Sequence, residues 1–245
     1  MKKIRLIALL THLSIVAISI GLSSCNKLDT VDVIGPTRSI AYIYKTDSTD
    51  AMAYKTLMEA NGCKVTLIDK AKAASTNFSS YQLIVIGHNT DVMNWVSSWS
   101  GADSANILGS QKPLLLMGIG GFQFLNKINN TTNHLDAITC SDNGINVIDP
   151  LGDLFFLPHI IKISTATPQI KLYKELGLGL GQFAPLGKIE NFDLLGSFVV
   201  ASNYYPVTIE RNRFALFGFY KGVGSMTDEG KVFTVNLTYL IGKQF

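Results

Sequence analysis

Beyond residue 38 the chain switches between continuous aliphatic runs and stretches with helical spacing. "SIAYIYK" (39–45), "CKVTLID" (63–69), "YQLIVIGHN" (81–89) and "KPLLLMGIG" (112–120) are the runs. A strand that is apolar at successive positions is buried on both faces, the pattern of a parallel sheet. Between the first two, "DSTDAMAYKTLMEANG" (47–62) gathers Ala53, Leu57, Met58 and Ala60 on one helical face. Asp47, Ser48, Thr49 and Asp50 offer N-cap oxygens, and Gly62 suits the position after the last turn. Strand, helix and strand with short connections imply right-handed crossovers. The expected class is α/β: a flavodoxin-like three-layer sandwich with a mostly parallel central sheet.

The pattern then changes. "NKINNTTNHLDAITCSDNGINVID" (126–149) is polar and weakly periodic. It predicts a loop or insertion, running to about residue 160, with a short strand at 145–148. "GLGLGQFAPLG" (177–187) predicts a flexible loop. The spacing of Gly177, Gly179 and Gly181 is not a dinucleotide fingerprint, and no helix opens after it. Residues 197–220 hold two or three strands, with a turn at 210–213. "TDEGKVFTVNLTYLIG" (227–242) predicts a closing helix. Thr227 caps it, Asp228 and Glu229 suit its positive end, and Phe233, Leu237, Leu240 and Ile241 form its buried stripe, with Gly242 at its end.

The first 24 residues change the picture of charge. Met1, Lys2, Lys3, Ile4 and Arg5 precede a mostly apolar run to Leu22, interrupted by Thr11, His12, Ser14 and Ser19. That is a secretory signal, short for a permanent span of about 20 apolar residues. "LSSC" (22–25) resembles the lipobox of bacterial lipoproteins. The resemblance implies residues 1–24 as a signal peptide, cleavage before Cys25, lipidation of Cys25, and a tether over 25–38 ahead of a domain at 39–245. The competing reading is an ordinary signal peptide with an incidental cysteine. Lipid suffices as an anchor, at about 0.8 kcal/mol per buried methylene. Residues 26–36 reach at most about 36 Å, so the domain is expected near its membrane. The expected location is the envelope of a Gram-negative-type bacterium, at the periplasmic or surface face of its outer membrane.

Removing the signal takes three basic residues from the 21 Lys+Arg, leaving 18 against 18 Asp+Glu. A formally neutral chain without like-charge runs does not fit a nucleic-acid partner. Cys63 and Cys140 are expected as two separated thiols. No Cys/His spacing suits a metal, and no cofactor motif is found.

In this order, four segments resemble the class I glutamine amidotransferase-like fold, including its trehalose-utilisation-like branch. They are the opening strand–helix–strand (40–68), "YQLIVIGHNTD" (81–91), "KPLLLMGIGGFQFL" (112–125), and "RFALFGFYKGVGSMTDEGKVFTVNLTYL" (213–240). The family's elbow reads Gly-x-Cys-x-Gly. Aligned on Gly118, Gly120 stands where the cysteine would be and Phe122 where the last glycine would be. No histidine follows His159, so the resemblance lends neither nucleophile nor late general base.

Recognition rather than bond-making is therefore expected, of a small ligand, a glycan or a protein partner. The candidate site residues are Gly87, His88, Asn89 and Asp91 after the third strand, with Gly118, Gly120, Gly121 and Phe122 at the elbow. Backbone N–H groups of Gly120, Gly121 and Phe122 would face outward and bind an anion or carbonyl. Alternatively, those glycines only let a helix pack on the sheet. Trp95 and Trp99, four apart, offer a sugar-stacking face or core packing. Tyr204 and Tyr205 pose the same choice. His134 reads as solvated and His159 as a strand-end residue. "DTV" (29–31), "DST" (47–49) and "DSA" (103–105) resemble short O-glycosylation acceptors. A hydrolase or sugar-processing enzyme rebuilt from Asp, Glu and His of the insertion, and an accessory subunit of an envelope complex, are the other readings.

Overall fold

The computed structural model describes residues 38–46, 48–92, 97–128, 138–183, 192–211 and 213–243. At its centre, β1 (Ser39–Tyr44), β2 (Lys64–Asp69), β3 (Leu83–Ile86) and β4 (Leu114–Met117) pair in parallel with a late strand, β12 (Phe214–Phe217). The order β2-β1-β3-β4-β12 is the 2-1-3-4-5 arrangement of flavodoxin-like sheets. Ile40 lies opposite Val65 on one side and Leu83 on the other; Leu114 lies between Ile84 and Phe214.

Alternate residues of these strands face opposite layers, and both layers are apolar. Ile40, Tyr42, Leu83, Val85 and Met117 pack against α1 (Ser48–Glu59), through Ala51, Tyr54 and Met58, and against α4 (Asp228–Lys243), through Phe233 and Leu237. Ala41, Ile43, Ile86 and Leu116 pack against Ile107 of α2 (Gly101–Gly109) and Phe124 and Leu125 of α3 (Gly118–Ile128). Each fully buried aliphatic side chain contributes about 1.5–3 kcal/mol. The helix ends follow their local chemistry. Ser100 and Asp103 form a capping box for α2, and the Thr227 hydroxyl accepts from Gly230 N–H at 2.9 Å before α4.

Beyond β12 the sheet turns antiparallel. β11 (Val207–Glu210), β9 (Phe192–Phe198), β6 (Gly144–Val147) and β7 (Gln169–Lys171) follow in that order, giving nine strands among the described residues. A second sheet orders β10 (Tyr204–Tyr205), β8 (Gly177–Phe183) and β5 (Ile138–Asp142).

The segment predicted as a flexible loop is thus partly a strand. In β8 the glycines seat an aromatic ring: a Cβ on Gly179 or Gly181 would come within 2.9 or 2.6 Å of Phe198. Leu180, between them, is buried among residues of the opposite layer. Leu180 N–H donates to Gly218 O and Tyr220 N–H to Leu178 O, both at 2.9 Å. β8 therefore crosses the carboxyl end of β12. The polar run expected from residue 126 begins later, because α3 continues to Ile128, and β6 lies one residue from the predicted 145–148 strand. His159 is not at a strand end. It sits in the loop between β6 and β7, with Nε2 2.6 Å from Asn61 Oδ1. Trp95, His134 and the cap candidate Asp47 lie outside the described residues.

Strand direction defines two ends of the sheet. Arg38, where the chain enters β1, is at the amino end, its Nη1 donating to Tyr239 O at 2.8 Å. Since β12, β11, β9 and β6 alternate in direction, β6 also runs down to that end.

Candidate functional site

The carboxyl ends of β3 and β4 place the predicted residues together. α3 follows β4 with no intervening residue, and its first residue, Gly118, has φ +53°. Glycine takes that left-handed conformation without strain. The elbow residue is therefore Gly118, not Gly120 as the pattern alignment proposed. The stretch to compare is Leu116, Met117, Gly118, Ile119, Gly120, which also contains neither Cys nor Ser. Three glycines within four positions make the sequence alignment ambiguous; the backbone angle resolves it.

A Cβ at Gly118 would lie 2.6 Å from His88 Cβ and 2.9 Å from Phe219 O. The direction in which an elbow projects its side chain is filled by the loop after β3. Gly120 is equally confined: a Cβ there would lie 2.4 Å from Gly87 O and 2.2 Å from Thr90 Oγ1. Its N–H donates to His88 O at 2.9 Å, so it is not free for a ligand, contrary to the outward-facing donor expected of it. Gly121 abuts Leu116, and Phe122 belongs to the buried layer beneath α3. The glycines bring α3 against β4 and lock it to the His88 loop. Gly87 is itself pressed against Ile43 O and the Tyr42 hydroxyl.

His88 has one partner that sequence reasoning missed. Its Nε2 lies 3.1 Å from Asp50 Oδ2, in the first turn of α1. In the sequence, Asp50 reads only as a helix cap. The available signal was position: the β1–α1 junction emerges at the same sheet end as the loop after β3. With Nε2–H directed at the carboxylate, His88 Nδ1 is left buried without a hydrogen-bond partner among the described residues. From the other side, the chain after β12 presses on Asp50, where a Cβ at Gly222 would overlap the carboxylate at 2.2 Å. Tyr173 Oη donates to Lys221 O at 2.9 Å; burial, then the Asp50 charge, push its phenol well above the usual range.

Asp91 turns away from this pair into its own loop. It accepts from Val92 N–H at 2.9 Å, Ser97 Oγ at 3.0 Å and Ser98 N–H at 2.7 Å. Burial pushes its carboxyl up, but these hydrogen bonds outweigh that and hold it below the usual aspartate range. Lys70 completes the lock, donating to Thr90 O at 2.9 Å and Ser98 Oγ at 2.6 Å, with its ammonium 4.2 Å from the centre of the Trp99 ring. Burial lowers the Lys70 pKa, with Asp91 opposing. Trp99 is buried edge-on to Phe124, so it does not offer a sugar-stacking surface. Asn89 is half-buried, as are Tyr204 and Tyr205 in β10.

Among the described residues, Asp142 and Asp149 of the insertion serve local turns rather than this site. Asp142 accepts from the N–H groups of Asn143, Gly144, Val199 and Val200, and Asp149 accepts from Leu151 N–H. Both build turns. Among the described residues no group of three or more His, Cys, Asp or Glu could hold a metal ion. Cys63 and Cys140 are both free thiols.

A cavity of about 400 Å³ opens at the opposite, amino end of β4 and β12. Leu108, Gln111, Ile128, Arg211, Arg213 and Phe214 wall it. Arg213 is fixed there by Lys112 O at 3.0 Å, Gln111 Oε1 at 3.2 Å and Leu108 O at 2.9 Å. None of the predicted site residues borders it.

No protein-family model matches the chain, and no curated protein matches it in sequence. Solved structures do resemble it. One, from Thermoplasma acidophilum and described as part of a GMP synthase, aligns with TM-score 0.55 and 10% identity, covering 85% of this chain and 96% of the other. PurLQS from Thermotoga maritima aligns with TM-score 0.51 and 14% identity, covering 83% and 99%. At such identities the likeness concerns the fold alone: it is glutamine amidotransferase-like, on a flavodoxin-type sheet.

Proposed function

We propose that the chain is a lipid-anchored, non-catalytic recognition domain of the bacterial cell envelope, built on an amidotransferase-like fold. The observation behind the non-catalytic reading is the crowding at Gly118. The elbow carries no nucleophile, and the direction its side chain would take is occupied by His88. A thiol or hydroxyl placed there has no room to meet a substrate carbonyl, so acyl transfer lacks its first step. The anchor rests on the sequence: "LSSC" after a basic and apolar leader. Among the described residues no helix is long and apolar enough to cross a membrane, and the lipid on Cys25 would supply the attachment. The ligand face is the rim formed by Asp50, His88 and Asn89, for a small molecule, glycan or protein partner.

Two measurements test this reading. Fatty-acid labelling of the wild type should be lost in Cys25→Ala. Incubation with glutamine should release no ammonia above a protein-free control. Labelling that persists in Cys25→Ala would remove the anchor.

The Asp50–His88 pair favours one second reading, a hydrolase using His88 as base with Asp50 orienting it. The enclosure of Nδ1 stands against it, because that nitrogen cannot reach a bound water without movement of the loop. Hydrolysis of a sugar or ester substrate that is abolished by His88→Gln and retained in Asp91→Asn would establish this second reading.

A further inference from the structure

We infer that the loop between β6 and β7 dips into the bilayer surface and orients the domain on its membrane; the inference rests on the lipid-anchor reading above. Among the described residues ten large apolar side chains are exposed, and four of them fall in one short stretch. Ile148 is 49% exposed, Leu151 74%, Phe156 42% and Ile160 70%. They share a compact, hydrogen-bonded loop. Gly152 N–H donates to Asp149 O, Leu157 N–H to Asp153 O, and Ile161 N–H to Phe155 O at 2.8 Å. Leu154 and Phe155 anchor it to the core, with the Phe155 ring 6.0 Å from that of Phe233. The apolar residues on either side of these anchors are held outward by this hydrogen-bonded base.

The position of the loop identifies what covers it. β6 runs toward the amino end of the central strands, the end at which Arg38 brings the chain into β1. His159 in the loop meets Asn61. Asn61 O accepts from Tyr239 Oη at 3.2 Å, and Tyr239 O accepts from Arg38 Nη1 at 2.8 Å. Two residues thus bridge the exposed loop and the point where the tether begins. The thirteen residues from Asn26 to Arg38 reach at most about 45 Å, and they join the domain at this end. An apolar protrusion on the membrane-proximal end gains free energy by entering the boundary between headgroups and acyl chains. The same end carries the exposed side chains of Lys64, Lys127, Lys162 and Arg211, which suit headgroup phosphates, alongside exposed Asp149, Asp153 and Asp193. The apolar loop, rather than net charge, is therefore the main element of contact.

The full-length lipidated protein, in phosphatidylcholine vesicles with and without brominated acyl chains, tests the inference. Phe156→Trp places a reporter in the loop, and Val92→Trp places one at the opposite end of the sheet. Above the wild-type background from Trp95 and Trp99, the emission added by Phe156→Trp should fall by about twofold or more with brominated lipid, as a side chain several ångströms inside the boundary would. That of Val92→Trp should stay unchanged. Adding Leu151→Glu and Ile160→Glu to Phe156→Trp should remove the quenching while the protein still floats with the vesicles. Equal quenching at both positions in a floating protein overturns the loop contact and leaves the anchor standing. Self-association that Ile160→Glu abolishes, without quenching at Phe156→Trp, also overturns it and identifies a second copy as the occupant. Flotation of Cys25→Ala as efficient as the wild type overturns the anchor reading, separately from the quenching result.

Discussion

The two ends of the central sheet differ in how they treat polar and apolar groups. At the carboxyl end, where α/β folds usually place their ligands, the described residues behind the Asp50–His88–Asn89 rim are closely packed. Gly118 touches His88, Gly120 touches Gly87 and Thr90, Gly222 rests on Asp50, and β8 crosses above. At the amino end the protein leaves a cavity of about 400 Å³ and an outward-facing apolar loop. Behind its rim the first end is packed like a core, whereas the second leaves space and exposes apolar side chains.

Substitutions should therefore act differently at the two ends. The largest effect is expected for Gly118→Ala. It combines a left-handed residue with overlap against His88 and should destabilise the fold by about 3 kcal/mol, read as a lower midpoint in urea. A neutral outcome would mean that the carboxyl end is loosely packed. Next is Asp91→Ala, which removes three hydrogen bonds to a carboxylate and leaves Lys70 without its counter-charge, for about 2 kcal/mol. The pH dependence follows in sign. The folded Asp91 carboxyl titrates below its unfolded value, so its contribution is present above the ordinary aspartate pKa of about 3.9 and fades as pH falls through the folded value. Thermal unfolding of wild type and Asp91→Asn at pH 7 and pH 3 should converge in acid. At the amino end, Arg213→Gln loses bonds to Leu108 O and Lys112 O and should cost about 1 kcal/mol. Smallest is Ile160→Ser, expected within about 0.5 kcal/mol of wild type because the side chain is already in solvent. A large loss there would make Ile160 part of the core and erase the contrast between the ends.

Much of this was legible in the sequence. The four aliphatic runs mark β1 to β4, because strands buried on both faces leave no polar alternation to misread. The position of His88 after β3 puts it beside the elbow, where the structure has it. Three features were not legible. β8 reads as a loop because glycine is a poor strand former; its Gly179 and Gly181 serve the Phe198 ring, a partner distant in sequence. The pattern sets the elbow two residues late because glycine recurs at 118, 120 and 121, and no spacing rule says which one is left-handed. Asp50 is hidden by its helix-capping context, since a side chain at a helix start is easily taken as serving that helix alone.

The contact between Gly118 and His88 also limits what mutation can do. A thiol introduced at position 118 meets the imidazole-bearing loop before it meets any substrate, and shortening His88 alone yields no chemistry while breaking its pairing with Asp50. Neither change by itself opens space at the turn, so the two positions would have to change together. The crowded turn thus couples positions 88 and 118, so that what either one tolerates depends on the residue at the other.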